Sequence, residues 1–507
     1  MRAAFDVGLL LGIVGLSAAF AASGCDYKCD PDFGTAECET PPDPKCVPFL
    51  NPDQAVDSGC GVFVRKTGDD ANLGTKDQAV STIAQAIELW KKNPTADAET
   101  KAAIYLCAEE FNEMSGVSLP AGLLIYGGLD CNATDASAWA YVSPGEGEIE
   151  TVITAPEGTV PLRFLPSTGI GTVLYDVHVI AKTVPDTMPG VSSIAVIAEG
   201  ANVEFVRSVL ETGDGAKGED GAPYDTAAQG VVNGNDGIAA CDMGAFVETE
   251  GPMSTCAGGV VSMGGAGAGG AITTTAAPTA GTPGADNAGV SESASGPCMP
   301  GKIGFSPEPA GTEEPVTGLG SLDKTVGYIG VPGNSGQPGA IGQGGGGGGG
   351  TRSKPGAMNQ CGTGPGASGG SGGTGGCGGA GGRPGQPGGS SIAVVSLKST
   401  IKLTETRVRV GKGGAPGLGG SGQTGGAGGI GGIGGAAKPG VAAGCGGGAG
   451  GKGGDGGAGS NGVGGHAVGI AFSDTPPDLD EASIIEVTGS AGAGGQSAPT
   501  LQIPAAP

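Results

Sequence analysis

A 24-residue unit occurs twice in this chain, starting at Ser192 (SSIAVIAEGANVEFVRSVLETGDG) and again 198 residues later at Ser390 (SSIAVVSLKSTIKLTETRVRVGKG). The copies align without a gap, placing Ile194 against Ile392, Val196 against Val394, Val203 against Ile401, Phe205 against Leu403 and Gly213 against Gly411. A fainter third version closes the chain, with HAVGIAF from His466 and ASIIEVTGSAGAGG from Ala482. Short strands that recur in this way cannot bury their apolar faces alone, and stacking on one another does it for them. The expectation is an elongated stack in which Ile194 and Ile392 lie on neighbouring rungs, with long inserts looping out between.

Other strand-like runs precede the repeat at short intervals: Gly61–Val64, Ala103–Cys107, Val117–Leu119, Leu123–Tyr126, Thr151–Thr154, Pro161–Phe164 and Thr172–Ala181. From Ala103 onward no helix of useful length lies between them, which excludes parallel pairing through helical crossovers and leaves an all-β sandwich or a β-solenoid. Val80, Ile83, Ile87 and Trp90 fall at helical spacing and predict one amphipathic helix covering an open end of the stack.

Glycine (110) and proline (36) are abundant in the 507 residues, yet unevenly placed. Residues 60–212 read as ordinary folded sequence, and most of 327–465 is glycine-dominated. The glycine is periodic. From Gly327 the chain reads GYI-GVP-GNS-GQP-GAI-GQG-GGG-GGG, GGS-GGT-GGC-GGA follows, and from Gly426 comes GAG-GIG-GIG-GAA. A period of three is that of the polyproline II helix. Three readings stand side by side: a disordered linker, which gains little by burial; a packed bundle of glycine helices, with Cys361, Cys377 and Cys445 as staples; and a collagen triple helix.

The net charge of −25 argues against nucleic acid as a partner. Between Val326 and Gly465, however, ten Lys/Arg face only Glu405 and Asp455. That stretch is either a solvated face or a weakly basic surface for anionic glycans or lipid headgroups. The chain opens as an export signal, with Arg2 and the apolar run Val7–Phe20, too short to span a bilayer. Ala22-Ser23-Gly24-Cys25 resembles the bacterial lipobox, although Ala22 stands where that motif prefers leucine; the resemblance implies a lipid on Cys25. Cleavage after Ala19-Phe20-Ala21 is the alternative and gives a free secreted protein. Asp26 resembles an inner-membrane retention signal. Thirteen cysteines suit an oxidising exterior, and lipidation of Cys25 leaves twelve for six bridges. Cys107 with Cys131 is the expected pair, 24 residues apart, about one turn of the stack.

The segment GVFVRKTGDDANLGTKDQAVSTIAQAI from Gly61, together with Ile104–Cys131, resembles the opening of right-handed parallel β-helix proteins of the pectin-lyase-like superfold. The whole looks like uncharacterised cell-surface lipoproteins of that type from predatory soil bacteria. The similarity covers about residues 57–212, with echoes at 390–412 and 466–490. It implies an all-β fold, a right-handed parallel β-helix with an N-terminal capping helix and long glycine-rich insertions. A coil of such a fold stacks aliphatic side chains at about 4.8 Å. The organisation expected is a signal peptide at 1–24, a Cys/Pro/Asp-rich tether at 25–59 and the cap and first coils at 60–212. An insert at 213–326 and a triplet tract at 327–389 follow, then a coil at 390–412, a second glycine tract at 413–465 and a terminal coil with its tail at 466–507.

Many β-helix proteins are polysaccharide lyases or hydrolases. Of the pectin-hydrolase pattern only Gly465-His466-Ala467 is present. Asp176 and His178 alternate within YDVHV, which on one strand points them the same way, and with Arg207 they suggest a lyase-like face; a plain solvated face accounts for the same residues. For calcium, GGKGGD (450–455) matches the start of one RTX repeat, with Gly457 where an apolar residue is needed, and Asp69, Asp70 and Asn72 form an oxygen-rich turn or an ordinary Asx turn. No cofactor is expected. The expected function is a secreted or lipid-anchored cell-envelope structural and binding protein. Its glycine-rich surface would serve adhesion or polysaccharide contact, with cell-surface glycans as partners and the membrane reached only through the anchor. A carbohydrate-active lyase or hydrolase is the alternative.

Overall fold

A computed structural model describes residues 43–507 apart from 53, 93–102, 133–137, 143–149, 168 and 355–360. The chain is mostly β, with few and short helices, and three parallel sheets hold most of its strands. The first contains Gly61–Val64, Ala103–Cys107, Leu124–Asp130, Thr172–Tyr175, Asn202–Val206, Thr400–Thr404 and Asp478–Leu479. The second contains Glu110–Asn112, Thr151–Thr154, Val177–Ala181, Val209–Thr212, Arg407–Val410 and Ile484–Val487. The third contains Val117–Leu119, Leu162–Phe164, Ser193–Glu199, Ser391–Leu397, Ala467–Phe472 and Ser497–Gln502. From Ala103 onward the chain visits the three sheets in rotation, an arrangement compatible with the expected solenoid.

Register explains the sequence repeat. Ile194 pairs with Ile392 and Ile392 with Val468, while Val203 pairs with Ile401 and Phe205 with Leu403. Each sheet carries an apolar column built in this way. In the first it runs Ile104, Ile125, Leu174, Phe205, Leu403, all fully buried, and ends at Leu479. The third sheet is buried on both faces, because the hairpin Ser321–Asp323/Gly327–Ile329 lays Leu322 and Tyr328 on Ile194, Ile197, Ile392 and Val395. A strand covered on both sides reads as continuously apolar, and this is why IAVIA and IAVVS lack alternation.

The helix Ile83–Lys92 buries Ile83, Ala86 and Ile87 against the first strands. Val80, which spacing placed on its stripe, precedes the helix and bridges to Val64 instead. The stretch 25–59 expected as a tether is corrected for its described part. Residues 43–52 and 54–59 lie on the outer face of the first sheet, over a ladder of stacked rings. Phe63, Tyr105, Tyr126 and Tyr175 are paired in register, with centroids 5.1, 5.5 and 4.9 Å apart. Phe49 packs on Tyr175 at 5.4 Å, Tyr105 Oη donates to the Cys46 carbonyl at 2.7 Å, and Cys46 is bonded to Cys60.

The glycine tracts are a folded bundle, which replaces the disordered-linker and collagen readings. Extended segments lie side by side and exchange amide hydrogen bonds at every third residue. Gly336, Gly339 and Gly342 donate to Gly382, Gly379 and Gly376, and Gly373, Gly376 and Gly379 donate to Gly448, Gly451 and Gly454. The register of the repeat continues here: Gly215, Gly218 and Gly221 donate to Lys412, Ala415 and Leu418, the same 197-residue step by which Ser193 donates to Ser390 and Gly200 to Leu397.

The number of glycines per triplet follows from how many faces of a segment meet another backbone. In 344–350 all three do: a Cβ on Gly345 would collide with Gly448, on Gly346 with Asn287 and on Gly347 with Ala266. Seven consecutive glycines result. In 366–376 two faces meet backbone, and the third carries Ser368, Ser371 and Thr374, whose hydroxyls accept the amides of Ile238, Asn235 and Val232 at 2.7, 2.8 and 2.9 Å. In 417–435 the third position faces water. In 333–342 one glycine per triplet suffices, against residues 451–460. Three disulfides, Cys241–Cys361, Cys256–Cys377 and Cys298–Cys445, staple the bundle across 120, 121 and 147 residues. Loops of that length restrict the unfolded chain by up to about 4–5 kcal/mol each in the chain-entropy account.

Candidate functional site

The sequence-predicted trio divides into two clusters. Asp176 and Arg207 occupy the corners that follow strands Thr172–Tyr175 and Asn202–Val206, with left-handed φ of 54° and 46°. That conformation breaks the strand between Asp176 and His178, so the expected alternation does not hold. Arg207 grips Asp176 through Nε to Oδ1 at 2.9 Å and Nη2 to Oδ2 at 2.7 Å, and Tyr141 Oη donates to Oδ1 at 2.9 Å. The Asp176 side chain is 1% exposed, and the guanidinium lies 4.4 Å from the centre of the Phe49 ring. Burial pushes the Asp176 carboxyl above its usual range, while Arg207 and Tyr141 pull it back. The cluster is a closed lock between neighbouring strand ends and the N-terminal segment, with both carboxylate oxygens occupied.

His178 points to the outer face of the second sheet and sits between two glutamates, Nδ1 2.7 Å from Glu150 and Nε2 3.2 Å from Glu211. Arg409 lies 3.5 Å from Glu211 and 3.7 Å from Glu486, so the charges alternate across coils. Burial opposes a charge on the imidazole, but the two carboxylates outweigh it and hold its pKa above the ordinary value. A group raised in the folded state stabilises fully below its unfolded pKa of about 6.5 and loses that contribution as pH rises through the folded value. His178→Gln is therefore expected to lower stability by about 1 kcal/mol at pH 6, the glutamates being partly exposed. The difference from wild type should close by pH 9. Urea melts at both pH values check this, and an unchanged difference across that range would refute it.

The calcium candidates are spent on local structure. Asp69 Oδ1 accepts the Ala71 amide, and Asn72 Nδ2 donates to the Ala79 carbonyl. Asp70 takes the amides and hydroxyls of Ser81 and Thr82 at 2.8–3.0 Å, just ahead of the helix. Asp455 of the GGKGGD stretch accepts Gly425 N and pairs with Lys452 at the surface of the bundle. His466 is fully buried, its Nδ1 accepting from Gln496 N at 2.9 Å and its Nε2 3.0 Å from the Leu319 carbonyl. Burial lowers its pKa, and no carboxylate joins it there. Among the described residues no group of three or more His, Cys, Asp or Glu side chains is placed to hold a metal ion. Cys107 and Cys131 are bonded, with Cα atoms 5.6 Å apart; Cys25 lies outside the described residues.

A cleft of about 650 Å³ opens where the third sheet, hairpin and bundle meet, lined by Met188, Val326, Tyr328, Pro387, Arg163 and Glu219 among others. Arg163 is committed to the carbonyls of Lys324 and Thr325 at 3.0 and 2.8 Å, which leaves Glu219 as the cleft's carboxylate. Sequence reasoning missed the outer row of the bundle. Leu418, Ile430 and Ile433 occupy the water-facing triplet position and are 55%, 71% and 74% exposed. Their amides are held by Asp220, Asn233 and Asp236 of the neighbouring segment at 2.7, 3.0 and 2.8 Å. The signal was available as the non-glycine position of GLG and GIG triplets. No protein-family model, curated protein or solved structure matches this chain.

Proposed function

We propose that this is an exported structural and binding protein. In this reading it is a right-handed parallel β-helix, anchored by lipid on Cys25, that holds a glycine-rich bundle outward for adhesion or polysaccharide contact. The observation that carries the reading is the outer row Leu418, Ile430 and Ile433, large apolar side chains set at triplet intervals on a backbone framework hydrogen-bonded to its neighbours at the same spacing. Five disulfides are consistent with an oxidising, exported environment. They use ten of the thirteen cysteines; Cys25, Cys29 and Cys38 lie outside the described residues.

Two measurements test the proposal. Mass spectrometry of the mature N-terminus is expected to find diacylated Cys25, and a free terminus at Ala22 removes the anchor. On a glycan array the protein is expected to bind, and Ile430→Ser/Ile433→Ser to weaken that binding at unchanged melting temperature. A blank array, or binding indifferent to both changes, would leave the bundle a passive spacer.

A further inference from the structure

One hairpin on the bundle is patterned in reverse. Met253–Thr255 pairs antiparallel with Val261–Met263, placing Met253 opposite Met263, Ser254 opposite Ser262 and Thr255 opposite Val261. A two-stranded ribbon lying on a core ordinarily turns its apolar residues inward. Here the serines point in. Ser254 Oγ donates to the Gly230 carbonyl at 2.6 Å, and Ser262 Oγ donates to Thr282 at 3.0 Å and accepts from Gly375 N at 2.8 Å. The cause is the glycine bundle beneath, which offers carbonyls and amides at close range and no room for larger side chains. The outward side is left with Met253, Val261 and Met263 at 60%, 37% and 42% exposed, and Val260 at the turn is 50% exposed. The Cys256–Cys377 bridge fixes the ribbon to the buried centre of the bundle, so its outward face is preorganised.

Charge decides what fits that face. Residues 218–301 contain nine Asp/Glu and no Lys or Arg, and Glu248 and Glu250 are exposed on the approach to Met253. An anionic lipid surface or an acidic polysaccharide would be repelled, and a second copy of this chain would bring a net charge of −25. A neutral glycan would find no aromatic ring among these side chains to stack on. Flexible thioethers in an acidic stretch of chain, with Glu248 and Glu250 close in sequence, suit a segment that brings both aliphatic and cationic groups. We propose that the outward face of this hairpin docks a basic amphipathic segment of a partner protein, in the manner of an amphipathic helix or strand laid on an apolar surface. The proposal rests on the reading of the bundle as a display surface and names the partner for one of its faces.

The test uses the full chain and a fluorescent amphipathic Leu/Lys peptide of about 18 residues, long enough for five helical turns, followed by anisotropy. Saturable binding is expected, weakened at least tenfold by Met253→Ser/Met263→Ser, which leaves net charge unchanged, and several-fold by Glu248→Gln/Glu250→Gln. Melting temperatures of both variants should match wild type, since the changed side chains are exposed. Three results would overturn the proposal: equal binding by the serine variant, which makes the attraction charge alone; stronger binding to a neutral oligosaccharide probe that the same serines abolish; or self-association in sedimentation that they abolish. None of these alters the N-terminal mass that tests the export and anchor reading.

Discussion

Gly348→Ala is expected to cost about 3 kcal/mol or more and to split the thermal melt, with the bundle losing order before the parallel sheets. A Cβ there would overlap the carbonyl of Cys445, and Gly348 N donates to Gly370 at 2.9 Å, so the segment cannot retreat without breaking its ladder. On either side, Gly347 donates to Thr279 and Gly349 to Met299, at 2.9 and 3.1 Å, and this holds the strand from two further directions. Overpacking of an ordinary core costs about 1–3 kcal/mol because side chains can adjust. Here the obstructing atoms are backbone, and relief requires moving whole segments. Gly311→Ala is the control. Nothing lies within 4 Å of its Cβ position and its φ is not left-handed, so the change should be neutral or slightly stabilising through the unfolded chain. Calorimetry of the two variants decides the matter, and a Gly348→Ala melt equal to that of Gly311→Ala would show that the central segments are not in backbone contact.

That asymmetry also explains which parts of the molecule were legible in the sequence. The rungs were, because a strand stacked on its own repeat demands like residues at like positions: Ile194 over Ile392 and Phe205 over Leu403 can be read from an ungapped alignment. The expected Cys107–Cys131 spacing of one turn rests on the same logic. The bundle's partners were not legible, because glycine carries no side chain to match, and a triplet period gives spacing without naming a neighbour. What the sequence does encode is coordination: one, two or three glycines per triplet record how many faces are enclosed. The Asp176–His178 alternation misled because corner residues look like strand residues until a left-handed φ separates them. Residues 43–59 read as tether because prolines and cysteines have no period, although Phe49 has a ring ladder to cover.

Arg207→Met is the second large effect expected, about 3 kcal/mol at pH 7. It strands the Asp176 carboxylate in a site where its side chain is 1% exposed, with Tyr141 Oη alone among the described side chains still donating to it. The loss has a characteristic pH dependence. Burial already raises the Asp176 pKa, and removing the guanidinium raises it further, so the folded variant takes up a proton more readily than the unfolded chain. Stability of the variant relative to wild type should therefore recover as pH falls from 7 towards 5. Asp176→Asn added to Arg207→Met should restore most of it at neutral pH, since asparagine tolerates the left-handed φ and bears no charge. A merely structural truncation of Arg207, losing its packing on Phe49 and nothing more, predicts a cost independent of pH and not rescued by the second change. Chemical denaturation of the single and double variants at pH 5 and 7 separates these outcomes. A single variant within 1 kcal/mol of wild type at pH 7 would mean that water reaches Asp176 and that the N-terminal segment does not seal the corner.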